Sequence, residues 1–116
     1  MRDHKKLRAF ELANEIAVSI YTITKKYPKD ELYGLVSQMR RSAVSVPSNI
    51  VEGCARQSQA EYLRFLDIAF GSLRELHYQL NLSEQLGFIN IKEMQSLETT
   101  IEETEKVLGA LMRSLK

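Results

Sequence analysis

Few residues in this 116-residue chain can do chemistry, and they are unevenly placed. Two histidines, His4 and His77, and one cysteine, Cys54, are the nitrogen and sulfur ligands on offer to a metal. No two of them stand at the i, i+3 or i+4 spacing of a helical ligand pair. The Glu-x-x-His motif of di-iron helical bundles needs two copies; the nearest match, Arg74-Glu75-Leu76-His77, has the wrong spacing. Ser45, Ser48 and Ser72 have no sequence-visible base, which a nucleophilic serine requires. Cys54 lies near Arg56, a neighbour that can lower a thiol's pKa, but no base accompanies it. Phosphate-cradling glycine loops are absent. The sequence therefore predicts no catalytic residue, no metal site, no cofactor and no enzymatic activity.

What remains is positive charge in particular places. Arg40 and Arg41 are adjacent, a pairing suited to phosphate or to the acids of a neighbouring subunit. Arg2, Lys5, Lys6 and Arg8 outweigh the single Asp3 at the start of the chain, and residues 1–6 read as a solvated basic arm. Formal net charge is only +1, so a basic surface is local rather than global. Arg40, Arg41, Arg56, Lys5, Lys6 and Arg8 form the candidate nucleic-acid-binding set. No aromatic platform for stacking single-stranded bases stands out, which predicts contact with the phosphate backbone and no sequence readout.

The elements that must position these residues are all helical. Apolar residues recur every three or four positions throughout, with two prolines, five glycines and no useful alternating run. Helices are expected at about 7–27, 31–53, 58–86 and 91–115, joined by short loops. The whole is a single all-α domain, an antiparallel up-down-up-down four-helix bundle. In the second helix Leu32, Val36, Met39, Ala43, Val46 and Ile50 form a buried stripe that runs through Pro47 without losing phase. That continuity predicts one helix kinked at Pro47. Asp30 reads as its N-cap.

The back of this helix carries Arg41, Ser45, Ser48, Glu52 and Arg56. Ser45, Asn49, Glu52 and Glu75 are expected to form a structural polar network, with Asn49 serving carbonyls that Pro47 leaves free. The third helix begins at a capping box, Ser58 to Glu61. Its seam of Tyr62, Leu66, Ala69, Leu73, Leu76 and Leu80 follows a heptad rhythm, and Gly87 ends it. Gly71, inside that helix, is expected to let a neighbour approach closely at Pro47. The fourth helix starts at Asn90 and buries Met94, Leu97, Ile101, Thr104 and Leu108, with Leu111 and Leu115 continuing the stripe. No run nears the roughly 20 apolar residues of a membrane span. A lone cysteine allows no internal disulfide and fits a reducing cytoplasm.

The second helix also carries a resemblance. Leu35-x-x-Gln38-x-Arg40-Arg41-Ser42-Ala43-Val44-Ser45-Val46-Pro47-Ser48-Asn49-Ile50-Val51-Glu52-Gly53 resembles the signature of bacterial four-helix bundle proteins encoded in intervening sequences of 23S ribosomal RNA genes, often labelled ribosomal-protein-like. Tyr33-Gly34-Leu35 before it agrees, as do Ala69-Phe70-Gly71-Ser72-Leu73-x-Glu75-Leu76 and Leu86-Gly87-Phe88-Ile89 after it. Val46 and Val51 stand where isoleucine and alanine are more usual. The chain is also similar to the accessory protein of diversity-generating retroelements, a basic pentameric barrel that binds nucleic acid and a reverse transcriptase. The resemblance implies a ring-forming homo-oligomer, typically a pentamer, with ribosomal RNA or another nucleic acid as partner. The alternative is an oligomeric scaffold for a protein partner, with only a genomic link to ribosomal RNA.

Overall fold

The structure, a computed structural model, describes residues 2–116. Four helices carry it: α1 (Arg8–Thr24), α2 (Leu35–Cys54), α3 (Gln59–Gln85) and α4 (Ile91–Ser114), with no strand among the described residues. Each helix packs on its neighbours in sequence, and α1 also packs on α4, which closes a four-helix bundle. At about 1.5 Å per residue the 27 residues of α3 span about 40 Å, close to the 43 Å long axis of the molecule.

The core is the sum of the expected stripes. Ile16 and Ile20 of α1, Met39, Val46 and Ile50 of α2, Leu66, Leu73, Leu76 and Leu80 of α3, and Ile101 and Leu108 of α4 are all buried. Leu32 departs from its expected stripe and is 46 % exposed. The reason is local: a 3-10 turn, Lys29–Glu31, precedes α2, so Leu32 lies ahead of the helix. Gly34, rather than Asp30, is the N-cap residue, and the Glu31 carboxylate of the preceding turn accepts from the Leu35 N–H at 3.2 Å. α2 then continues through the buried Pro47 to Cys54.

Local capping chemistry fixes the other ends. Ser58 Oγ accepts from the Glu61 N–H at 3.1 Å and Asn90 Oδ1 from the Glu93 N–H at 2.9 Å. Asn90 Nδ2 donates in turn to the Glu93 carboxylate at 3.0 Å. Gly87 takes φ +77°, where the Phe88 N–H reaches the Ser83 carbonyl and the Gly87 N–H the Glu84 carbonyl, the two bonds of a Schellman motif.

Gly71 does not meet the Pro47 region. It is exposed, and a Cβ there would touch nothing within 4 Å. The close approach lies at Gly53 instead, where an added Cβ would sit 3.0 Å from Phe65 Cβ and 3.2 Å from Tyr62 Cδ1. Gly53 shares the α2 stripe with Val46 and Ile50, so its missing side chain brings α2 and α3 together just before the four-residue link, 55–58, that joins them. A shallower seam runs between α1 and α4, where Ile16, Val18, Ile23 and Leu97 line an open groove.

Candidate nucleic-acid interface

Arg40 and Arg41 sit one turn and a half into α2, beside the end of α1. Arg40 Nε donates to Thr24 Oγ1 at 3.0 Å, and its guanidinium lies 4.7 Å from the centre of the Tyr21 ring. Thr24 is itself held, donating to the Ile20 carbonyl at 2.6 Å. One hydrogen bond and one cation–π contact therefore fix the Arg40 side chain, with the rest of its donor fork unused among the described residues. Arg41, one residue on, is exposed and forms no hydrogen bond or ion pair among the described residues. Both line a groove with Tyr21, Leu32, Tyr33, Ser37 and Val44. Tyr33 is 93 % exposed at its edge and Tyr21 43 %. No aromatic platform stands out in the sequence, yet the fold places two tyrosines around the paired arginines.

The other candidate cations lie elsewhere. Arg40 is tied to the last residue of α1, whereas Arg8 is its first, and 17 helical residues separate these ends by about 25 Å. Arg8 is already engaged, to Glu11 at 2.6 Å and Glu103 at 2.8 Å, and the Glu103 contact chiefly raises its pKa. Arg56 lies 5.3 Å from the Phe65 ring centre and 4.0 Å from the Glu52 carboxylate. Lys5 and Lys6 are exposed in a short 3-10 turn, His4–Lys6, capped by Asp3.

Residues 2–6 are not a free arm. Arg2 lies 4.1 Å over the Tyr62 ring and donates to the Arg56 carbonyl at 2.7 Å, which lays the segment across the junction of α2 and α3. Met1 of the expected arm lies outside the described residues.

A model of the 23S rRNA-intervening sequence protein family matches residues 5–110. The chain belongs to that family. A solved structure of a protein of unknown function from the S23 ribosomal protein family of Bacteroides thetaiotaomicron is similar to it, with a TM-score of 0.84 and 25 % identity, covering 90 % of this chain and 95 % of that one. No curated protein matches the chain.

In this member of the 23S rRNA-intervening sequence proteins the polar network is smaller than expected. Ser45 Oγ lies 2.8 Å from Ser72 Oγ, joining α2 to α3, and Asn49 Nδ2 donates to both the Ser45 carbonyl and its hydroxyl, at 2.8 and 3.0 Å. A proline at position 47 deprives the Ala43 carbonyl of its usual donor, so Asn49 serves a different carbonyl from the one freed. Glu52 lies at the surface beside Arg56, and Glu75 is exposed and joins neither. Cys54 is buried, and desolvation pushes its thiol pKa up despite the charge of Arg2. That removes the activation suggested by nearby Arg56. Tyr62 beside it is pushed up to about 12, mainly by burial.

Sequence reasoning missed a cluster on the opposite side. His77 Nδ1 lies 2.9 Å from Glu105 Oε2 and Nε2 3.0 Å from Glu98 Oε2, while Arg74 reaches Glu105 at 3.2 Å. The available signal was the phase of Glu98, Glu102 and Glu105, which fall on one face of α4. Among the described residues, no helix is long and apolar enough to cross a membrane.

Proposed function

We propose that this family member is a non-enzymatic nucleic-acid-binding bundle, with RNA as its ligand, and that the Arg40–Arg41 groove is its contact surface. One observation carries the reading: an exposed arginine without a partner among the described residues stands beside a second that is pre-positioned, at the rim of a groove edged by exposed Tyr33. Arginine forks suit phosphate oxygens, and a tyrosine face accepts an unstacked base. The geometry therefore favours a looped or single-stranded segment, with phosphates on Arg40 and Arg41 and a base on Tyr33. Lys5 and Lys6, at the far end of α1, extend the contact along a longer ligand. The protein works as a homo-oligomer, a pentameric ring in keeping with the family resemblance, which repeats a modest local charge once per subunit and strengthens the field.

The test is binding to a structured ribosomal RNA fragment, a single strand and an unrelated duplex of equal length, each at two salt concentrations. Replacing Arg40 and Arg41 with glutamate should abolish salt-sensitive binding while leaving the helical signal intact. Arg41→Ala should lower the salt slope by about one unit, and Tyr33→Ala should weaken single-strand binding by about 1–3 kcal/mol with little effect on duplex. Unchanged affinity in the double variant, or no binding at low salt, overturns the reading.

A second reading has its own observation. Leu32, Tyr33 and Val44 are exposed around the arginines, and a patch of aromatic, aliphatic and arginine side chains is the composition of a protein interface core. A stable protein complex lost on Tyr33→Ala, without RNA binding, would favour a scaffold.

A further inference from the structure

The cluster between α3 and α4 plays no part in that reading. Glu105 holds its carboxylate 2.9 Å from His77 Nδ1, and both side chains are largely buried, 13 % and 14 % exposed. A carboxylate opposite a ring nitrogen accepts, and a neutral ring has only one hydrogen to give; the shorter, more buried Glu105 contact is taken as the one that receives it, from Nδ1. Nε2 faces Glu98 Oε2 at 3.0 Å. In the neutral ring with Nδ1 protonated, Nε2 is an acceptor, and two acceptors at that distance repel. Something positive must lie between them: a proton or a metal ion.

Glu102, one helical turn after Glu98, brings a third ligand atom. One atom each from His77, Glu98 and Glu102 lie within 4.8 Å of one another. Glu102 is exposed and makes no hydrogen bond or ion pair among the described residues, so its carboxylate is uncommitted. We propose that His77 Nε2, Glu98 and Glu102 bind a divalent transition-metal ion, Zn²⁺ in preference to Mn²⁺. Glu105 is the positioning residue: it fixes the tautomer and ring plane as the outer carboxylates of histidine–metal sites do. Arg74 in turn steadies Glu105 at 3.2 Å. One imidazole and two carboxylates suit a borderline ion, and the Irving–Williams order ranks Zn²⁺ above Mn²⁺. Three protein ligands leave a fourth position for water. The site is spread over two helices with one imidazole between them, which is why no ligand spacing announces it in the sequence.

The experiment is calorimetric titration of the full chain, freed of metal by chelation, with Zn²⁺ and with Mn²⁺ at neutral pH. Wild type should bind one Zn²⁺ per subunit, and Mn²⁺ more weakly. Glu102→Gln should weaken Zn²⁺ binding roughly tenfold or more, with metal-free melting unchanged because the residue is exposed and has no partner to lose among the described residues. Glu105→Gln, an outer-shell change, should weaken it by about 10–100-fold. Binding should also release a proton, read as a dependence of the enthalpy on the buffer's ionisation heat. Affinity should fall toward acid pH as the proton competes for Nε2, with Glu98, Glu102, Glu105 and Lys106 of α4 and Arg74 of α3 as the surrounding charges. Absence of stoichiometric Zn²⁺ binding in wild type overturns the proposal. So does an affinity that Glu102→Gln and His77→Gln both leave within twofold, which would place the ion elsewhere, for instance at His4.

Discussion

The sharpest test of the packing is to add one methyl group at each of two glycines. Alanine at Gly53 puts a Cβ 3.0 Å from Phe65 Cβ, 3.2 Å from Tyr62 Cδ1 and 3.4 Å from the Tyr62 carbonyl oxygen. Carbon pairs prefer about 3.5–4.0 Å, so the main contact is short by roughly half an ångström. Phe65 Cβ is bonded directly to the α3 backbone and cannot swing aside. Relief needs α2 and α3 to part, and overpacking of this kind costs about 1–3 kcal/mol. Helix propensity returns at most about 1 kcal/mol, and less this close to the end of α2. Gly53→Ala should therefore be about 1–2 kcal/mol less stable than wild type. Gly71→Ala meets nothing within 4 Å and lies mid-helix, so it should be about 0.5–1 kcal/mol more stable.

Urea unfolding followed by far-UV circular dichroism, at one fixed protein concentration, reads both changes as shifts in midpoint at constant slope. By thermal melting the two variants should differ by about 8 °C, taking about 4 °C per kcal/mol for a domain of this size. A Gly53→Ala protein as stable as wild type, or a destabilised Gly71→Ala protein, would refute the assignment of the close approach to Gly53.

Two more outcomes follow. Burial of His77 lowers its pKa, but its contacts with Glu105 and Glu98 outweigh that, and the net shift is upward. A raised folded pKa means the charged ring contributes fully below the unfolded value of about 6.5 and loses that contribution as pH rises through the folded value. In chelator, the stability gap between wild type and His77→Gln should shrink from mildly acidic to mildly alkaline pH; a gap that widens would contradict the pairing of the charged ring with Glu105 and Glu98. Cys54 is buried with a raised thiol pKa, so alkylation by iodoacetamide should be slow in the native protein and fast in denaturant. Rapid native labelling would place the thiol at the surface.

Much of the frame was legible in the chain because it is written locally. Ser58, Asn90 and Gly87 mark helix ends through bonds that span three to five residues, and the stripes of α3 and α4 follow from period alone. Gly71 faces away from α2, contrary to the expected close approach, and its phase carries that information: at 100° per residue it lies 200° from Ala69, opposite the seam. The same arithmetic puts Gly53 within about 20° of Val46, on the buried side. Other features depended on partners distant in sequence. Nothing near Arg2 announces Tyr62, and nothing near His77 announces Glu98 or Glu105. The tyrosines around Arg40 and Arg41 come from α1 and from the turn before α2, so their convergence needed the antiparallel packing of those segments.

The two kinds of seam also differ in time. α2 and α3 are joined by residues 55–58, whereas residues 25–90 separate the end of α1 from the start of α4. Loop-closure entropy grows as the logarithm of length, so bringing α1 to α4 directly costs about 2.5 kcal/mol more than closing the α2–α3 hairpin. The hairpin is thus the natural nucleus, and the α1–α4 seam the last to zip and the first to open. Opening there bares the groove residues Ile16, Ile23 and Leu97 first. Newly made chains would show chaperones and proteases that face, while the arginine-bearing helix is already folded.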